Sequence, residues 1–275
     1  MKIEKRWIVS FVVISIVSIA ALFWKTEIPI ANSGEFLSED NIVGADVAWI
    51  LAAAGLVLLM TPGLSFFYGG MVGSKNVIST MLQSFIALGV ISILWVVVGF
   101  SLSFGESLGL TLNRVHLSYP FLSGVGTLPH HLMAPTIPFI LFALFQMKFA
   151  VITPALITGS FAERVRFISY LLFMVLFSLL IYTPLCHMVW HPEGLLNKFF
   201  GVKDFAGGTV VHMSAGFAAL AGAMVLGRRK NPHHKPSNIP FVLLGTGMLW
   251  FGWFGFNAGS ALAANATAAM AFGTT

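Results

Sequence analysis

Long uncharged, apolar stretches recur along the chain and predict membrane-spanning helices. A helix needs about 20 mainly apolar residues to cross the hydrocarbon core. Stretches of this kind occupy residues 47–74, 76–105, 133–160, 167–190, 204–227 and 239–262, and their only charged residues are Lys148 in the third and Asp204 at the start of the fifth. The pattern predicts an all-α, polytopic membrane helix bundle with six spans. Residues 263–275 are again uncharged.

The composition supports this class. Only 9% of the 275 residues are charged and 57% are hydrophobic, whereas soluble globular proteins carry about 25% charged residues. These values exclude an intrinsically disordered chain and argue against a nucleic-acid-binding domain. The single cysteine, Cys186, excludes an intrachain disulfide framework.

Lysine and arginine positions orient the predicted spans. The loops assigned to the inside hold seven such residues, namely Lys75, Arg164, Arg166, Arg228, Arg229, Lys230 and Lys235. The outer loops hold three, Arg114, Lys198 and Lys203. Because Lys and Arg beside spans are retained on the cytoplasmic side, the first of the six spans is expected to start outside. The localisation expected is the cell (plasma or inner) membrane.

The N-terminal segment, residues 1–30, has two interpretations. Basic residues precede eighteen uncharged residues, from Trp7 to Trp24. This pattern is typical of a signal peptide or of an extra helix, and the absence of a clear cleavage motif leaves both open. Either interpretation delivers residues 26–46 to the outside, so the predicted topology does not depend on the choice.

The fifth span carries the most conspicuous polar pattern. Asp204, Gly208, His212 and Gly216 lie four residues apart, which on a helix forms one stripe. Ionisable residues inside spans are rare and are functional candidates. Helix packing through small residues is the alternative for His212. For Asp204 the alternative is an N-cap role, in which its oxygens accept hydrogen bonds from the first free amides.

Aromatic residues form a second set of candidates. Phe145 and Phe149 lie one turn apart on the third span, and Trp190 closes the fourth. Phe256 and Ser260 lie near the end of the sixth span, where ring faces and a hydroxyl could hold a small cation. Core packing, lipid contact and an interfacial aromatic belt are the simpler explanations.

A metal site is the remaining chemical alternative. The predicted outer side contains five histidines, His116, His130, His131, His187 and His191. Their spacing is not typical of a metal site, so no metal is expected.

Six ordered strings carry a resemblance to a known family. They are PGLSFFYGG (62–70), FQMKF (145–149), ERVRF (163–167), HMVW (187–190), DFAGGTVVH (204–212) and WFGFNAGS (253–260). Together they resemble the ammonium transporter (Amt/MEP/Rh) family across residues 45–275. The resemblance implies a homotrimer of eleven-helix subunits built from two inverted five-helix repeats. The chain would be an incomplete ammonium transporter domain, with the first repeat, the sixth helix and the start of the seventh.

The resemblance also implies roles for the candidate residues. Phe145, Trp190 and Ser260 would form an outer ammonium recruitment site. Phe149 and Phe256 would be the stacked rings that close the pore, and His212 would be the first of two pore histidines. Asp204 would be a buried acid near the entrance. The implied activity is membrane transport of ammonium or ammonia, not enzymatic catalysis, and no cofactor is expected.

Two alternatives accompany the resemblance. The same fold could act as an ammonium sensor coupled to a signalling domain. A PII-type regulatory protein could dock at the basic inner loop 228–235, although charges that only set topology explain that loop more simply. Lys148 departs from the family pattern, since a lysine stands near the middle of the third span where the family usually has a small or apolar residue.

Overall fold

The computed structural model describes residues 34–106, 118–229 and 235–275, with five isolated positions between residues 12 and 19. The signal peptide or extra helix predicted over residues 1–30 therefore lies outside the continuous described stretches.

The prediction of six spans is confirmed within the described residues. Six helices are long and apolar enough to cross a membrane. In chain order they are α1 (Gly44–Met71), α2 (Ser74–Phe104), α3 (Phe139–Phe161), α4 (Phe167–Trp190), α5 (Gly208–Leu226) and α6 (Ile239–Gly259). A further helix, α7, covers Ala266–Thr274. The chain is a multi-pass membrane protein.

Two span boundaries differ from the sequence-based prediction. Helix α3 begins at Phe139 instead of near residue 133. Pro135 and Pro138 explain the delay, because proline disfavours helical backbone at the residue before it. Helix α5 begins at Gly208, so Asp204 precedes the helix instead of lying on its stripe.

Helices α1 and α6 form the most extensive helix pair among the described residues. Glycines of α6 allow this close approach. A Cβ at Gly245 would lie 2.4 Å from the backbone nitrogen of Phe67, and one at Gly252 would lie 2.8 Å from the carbonyl oxygen of Leu56. Small residues let helix backbones meet in a membrane, where packing supplies much of the association energy.

Three spans contain a π-helical turn, at Trp95–Gly99, Ser178–Tyr182 and Gly208–Met213. The first of these turns is anchored to a neighbouring helix, since the indole of Trp95 donates to the carbonyl of Ala143 on α3 at 3.1 Å. The third forms the start of α5 and carries His212. Single π turns often occur at functional positions of helices.

The three inner loops meet around Glu163. Its carboxylate accepts hydrogen bonds from the backbone amide of Gly73 at 2.8 Å and from the side chain of Asn76 at 3.1 Å. Arg229 of the third loop donates to the same carboxylate at 3.3 Å. The loops that the topology places on one side of the membrane therefore do lie together.

The outer end of the bundle is covered by a segment that precedes α1. The amide of Leu37 donates to Pro129, and the amide of Val43 donates to Thr136, each at 2.9 Å. Phe36 is buried against the rings of His130 and Phe139. These contacts fix the long outer loop next to the ends of α2 and α4, where the candidate site lies.

Candidate functional site

A cavity of about 230 Å³ lies at the outer end of the bundle, between α3, α4 and the segments that precede α5 and follow α6. Its wall combines aromatic ring faces with a few polar groups, as is common for small-ligand sites. The wall includes Phe104, Phe149, Trp190, Gln146, Asp204 and Ser260. Four of these residues were sequence candidates, and the structure brings them together.

An aromatic chain leads from this cavity towards the interior. The ring of Trp190 lies 5.8 Å from that of Phe149, which lies 4.5 Å from that of Phe256. Phe149 and Phe256 meet edge to face, at 71°, and are almost fully buried. The ring of Phe256 in turn lies 5.7 Å from that of His212. A pair of buried rings therefore separates the cavity from His212.

Phe145 does not line the cavity, contrary to the role expected from its position. Its side chain is fully buried, and its ring packs 4.9 Å from that of Phe149. A Cβ at Gly259 would lie 2.9 Å from this ring, so the ring fills the space where α6 lacks a side chain. Phe145 thus supports Phe149 from behind the cavity wall.

Asp204 caps the start of α5. Its carboxylate accepts hydrogen bonds from the amides of Gly208, Thr209 and Val210, at 2.8 to 2.9 Å. These amides are among those that the first turn leaves without an intrahelical partner. Asp204 is partly exposed in the described structure and not buried as expected, because it lies in the surface segment before the helix and lines the cavity.

Trp190 and Ser260 are each held by one hydrogen bond. The indole N–H of Trp190 donates to the carbonyl of Asp204 at 3.1 Å. The Ser260 hydroxyl donates to the carbonyl of Phe256 at 2.8 Å. With its proton committed, the Ser260 oxygen retains lone pairs that can accept a hydrogen bond from a ligand.

His212 lies beyond the ring pair and is exposed in the described structure. Its Nδ1 lies 3.0 Å from the carbonyl oxygen of Gly207. A carbonyl only accepts, so Nδ1 carries the proton, and in the neutral ring Nε2 is an acceptor. The backbone of Gly207 is left-handed, with φ of +82°, and this turn helps to bring its carbonyl to the imidazole.

Comparison with known proteins assigns the family. The model described as Ammonium Transporter Family matches residues 48–275. The chain belongs to this family.

Named relatives agree with the assignment. The chain is 45% identical over 244 residues to an ammonium transporter of Aquifex aeolicus, a match that covers 88% of this chain and 56% of the relative. Its fold resembles that of Mep2 from Saccharomyces cerevisiae, with a TM-score of 0.78, 32% identity and coverage of 89% and 58%. It also resembles a structure described as a sensor Amt protein, with a TM-score of 0.73, 32% identity and coverage of 86% and 59%. The chain spans about half the length of these relatives.

The outer histidines of this ammonium transporter family chain do not form a metal site among the described residues. Nδ1 of His130 accepts from the amides of Leu132 and Met133, and Nδ1 of His191 accepts from the amide of Glu193. In each neutral ring the proton is therefore on Nε2, which leaves no free nitrogen lone pair for a metal. Burial lowers the pKa of both histidines to about 4, which keeps them neutral. His116 lies outside the described residues.

Phe104 and Gln146 are among the wall residues that sequence reasoning missed. Gln146 had a usable signal, because it is a polar residue inside an apolar helix and lies between the two aromatic candidates of α3. Phe104 had none, since a phenylalanine at the end of an apolar span is indistinguishable from a packing residue.

Lys148 is half-buried on α3. It shares neither a hydrogen bond nor an ion pair with any residue in the described part of the chain.

Proposed function

We propose that this chain contributes the recruitment site, the gate and one pore histidine to a transporter for ammonium and ammonia in the plasma membrane. The observation that carries the proposal is the order of groups from the outside inwards. A cavity with ring faces and hydrogen-bond acceptors adjoins a closed pair of phenylalanines, and a histidine lies beyond that pair. The family assignment supports the same substrate.

Recruitment at the cavity suits a small cation. The face of Trp190 attracts a cation through its quadrupole, and the Ser260 oxygen accepts an N–H of ammonium. These groups replace part of the ion's hydration shell. The carboxylate of Asp204 keeps the cavity electrostatically favourable for a positive charge while its hydrogen bonds hold it at the helix start.

The ring pair selects the neutral form. Phe149 and Phe256 are almost fully buried, and their rings carry no hydrogen-bond acceptor. A charged group in such apolar surroundings loses far more solvation than a neutral one. Ammonium therefore gives up its proton to water at the outer mouth of the cavity, and neutral ammonia passes when the rings move aside.

His212 receives ammonia beyond the rings. Its Nε2 lone pair accepts an N–H of ammonia, because Nδ1 already donates to Gly207. An imidazole can both take up and release a proton, so His212 is also suited to relay protons.

Uptake by cells tests the proposal. The longest reading frame that encodes this chain is expressed in a strain that lacks its own ammonium transporters, and growth on low ammonium is measured. Growth should be restored by the wild type, and Phe256→Asp, which places a carboxylate in the ring pair, should abolish it. Failure of the wild type to restore growth, despite confirmed membrane insertion, would contradict transport.

A sensor is the second candidate, because the fold also resembles the structure described as a sensor Amt protein. The residues of the cavity would serve recognition equally in both cases. A purified wild type that binds ammonium with no accompanying uptake, in a reading frame that continues into a signalling domain, would favour the sensor. Uptake with a short cytoplasmic tail would favour the transporter.

We further propose a homotrimer that docks a PII-type protein at the inner face. The exposed Arg228 is available for docking, whereas Arg229 is engaged by the carbonyl of Ala162 and by Glu163. Lys230 lies outside the described residues. Arg228→Ala should weaken PII binding, measured by pull-down from membranes, and unchanged binding would remove this docking site. Mass analysis of the detergent-solubilised protein tests the trimer.

A further inference from the structure

Gln146 is a polar group in the wall of the outer cavity with no partner for its carbonyl oxygen. Its Oε1 is buried and accepts no hydrogen bond within the described residues. Residue 146 lies on α3, three residues before Phe149, and contributes to the same wall as Trp190 and Ser260. Buried polar atoms are normally paired, so each exception calls for an explanation.

The other polar groups of this part of the wall each make at least one hydrogen bond within the protein. The carboxylate of Asp204 accepts from three amides, the indole of Trp190 donates to a carbonyl, and the Ser260 hydroxyl donates to Phe256. The Ser260 oxygen keeps lone pairs for a ligand, but among these described groups only the Gln146 amide has an oxygen that makes no hydrogen bond within the protein. No hydrogen bond of Oε1 within the described residues fixes its orientation, and the terminal torsion of glutamine is broad, so the oxygen can turn towards a ligand.

Ammonium needs acceptors of this kind. It carries four N–H donors in a tetrahedral arrangement and no acceptor, while a ring face satisfies charge without replacing a hydrogen bond. An amide oxygen accepts strongly and stays neutral at all physiological pH values, so it orients the cation without holding it as tightly as a carboxylate would.

We infer that Gln146 is a further specificity-determining residue of the outer cavity, and that its amide oxygen accepts one N–H of ammonium. The inference rests on the proposed handling of ammonium. The amide oxygen of Gln146 should distinguish ammonium, with four N–H donors, from methylammonium, which has three. When leucine replaces the acceptor, methylammonium can turn its methyl group towards the leucine, whereas ammonium must leave one N–H without a partner. Loss of the acceptor should therefore weaken the binding of ammonium more than that of methylammonium.

The chain offers a matched control. Gln83 on α2 likewise has a buried Oε1 without a partner within the described residues, but it does not line the cavity. Gln83→Leu and Gln146→Leu are the same chemical change in two apolar helices. An effect common to both variants reflects burial of an amide, and one confined to Gln146 reflects the ligand.

Uptake of ammonium and methylammonium is measured over a concentration series, with the longest reading frame that encodes this chain and with rates normalised to membrane-inserted protein. Gln146→Leu should raise the half-saturating ammonium concentration about tenfold, which is the loss expected for one hydrogen bond to a charged group. The half-saturating concentration of methylammonium should rise clearly less. Gln146→Glu, which keeps an acceptor, should match or exceed the wild-type affinity for ammonium. Gln83→Leu should leave the ratio of the two substrates unchanged.

Equal shifts for both substrates in Gln146→Leu, or no shift at all, would overturn the inference while leaving the proposed transport intact. If the wild type takes up no ammonium, isothermal titration calorimetry on the purified protein gives the answer. Ammonium binding that weakens in Gln146→Leu but not in Gln83→Leu would then support the inference without transport, and binding indifferent to Gln146, or absent, would reject it.

Discussion

The indole N–H of Trp190 donates to the backbone carbonyl of Asp204 at 3.1 Å. This bond joins the end of α4 to the segment that starts α5, and Asp204 in turn holds the first amides of α5. The ring face of Trp190 in the cavity and the position of α5 are therefore fixed by one small network. Substitution of either residue should affect both.

Trp190→Leu and Trp190→Phe separate these two effects. Leucine removes the ring face and the N–H, and an exposed cation–π contact contributes about 0.5–1 kcal/mol. The half-saturating ammonium concentration should rise roughly two- to fivefold in uptake assays. Phenylalanine keeps a ring but loses the bond to Asp204, so its affinity should fall less than that of leucine. Equal affinities in wild type and Trp190→Leu would remove Trp190 from the recruitment site.

Ser260→Ala should weaken ammonium affinity by roughly ten- to a hundredfold, because it removes an acceptor whose hydrogen bond to a charged donor contributes about 1.5–3 kcal/mol. Thr246→Ala is the control, since Thr246 on the same helix makes the same kind of bond, to the carbonyl of Val242 at 2.8 Å. The control should leave the concentration dependence of uptake unchanged. Similar losses in both variants would point to a helix effect instead of a binding site.

His212→Ala should abolish uptake or ammonium selectivity and leave the folded protein stable, because the side chain is exposed within the described structure. Met213→Ala, at the exposed neighbouring position, should retain uptake. Thermal unfolding in detergent measures stability alongside uptake. A lower unfolding temperature combined with normal uptake would identify His212 as a packing residue.

Glu163→Gln should lower the free energy of unfolding by about 1–3 kcal/mol, since it weakens hydrogen bonds that link all three inner loops. Glu193→Gln is the matched control. Glu193 pairs with Lys198 at the surface, with both side chains 47% exposed, and such pairs contribute about 0–1 kcal/mol. Denaturation in detergent compares the two, and equal losses would refute a special role for Glu163.

Stability should fall as the pH falls from about 6.5 to about 4. His130 and His191 have folded pKa values of about 4, below the ordinary 6.5. Between these two pH values the unfolded chain binds a proton at each histidine that the folded chain does not bind. The free energy of unfolding therefore falls by about 1.4 kcal/mol per pH unit for each histidine. His191→Asn, whose side-chain oxygen can still accept from Glu193, should flatten the profile. If the free energy of unfolding of the variant falls with pH in parallel with that of the wild type, His191 does not cause the loss of stability.

The spans could be predicted closely because a charge is expensive in lipid, so uncharged stretches mark them directly. The delayed start of α3 depended on Pro135 and Pro138, which limit helical backbone more than hydropathy shows. The π turns could not be predicted, since the pattern of apolar residues does not record a local change of hydrogen-bond register.

The candidate site was predictable in part. Helical spacing places Phe145 and Phe149 one turn apart, but it does not show which of the two rings reaches the cavity. That depends on Gly259, more than 100 residues away, where α6 admits the ring of Phe145. The capping of α5 by Asp204 was one of the open alternatives, and its three amide bonds match it.

The partnership of α1 with α6 has a consequence for how the protein is made. About 170 residues separate the end of α1 from the start of α6. A ribosome that adds roughly 5–20 residues per second needs on the order of ten to thirty seconds to cover this distance. During that time α1 is already in the bilayer without its main neighbour, and lipid occupies the surface that the glycines of α6 will later meet. Helix α1 can pack against α2 and α3 before then, but its largest interface is completed only when α6 enters the membrane. A pause in translation before α6 would prolong the time for which this surface of α1 faces lipid.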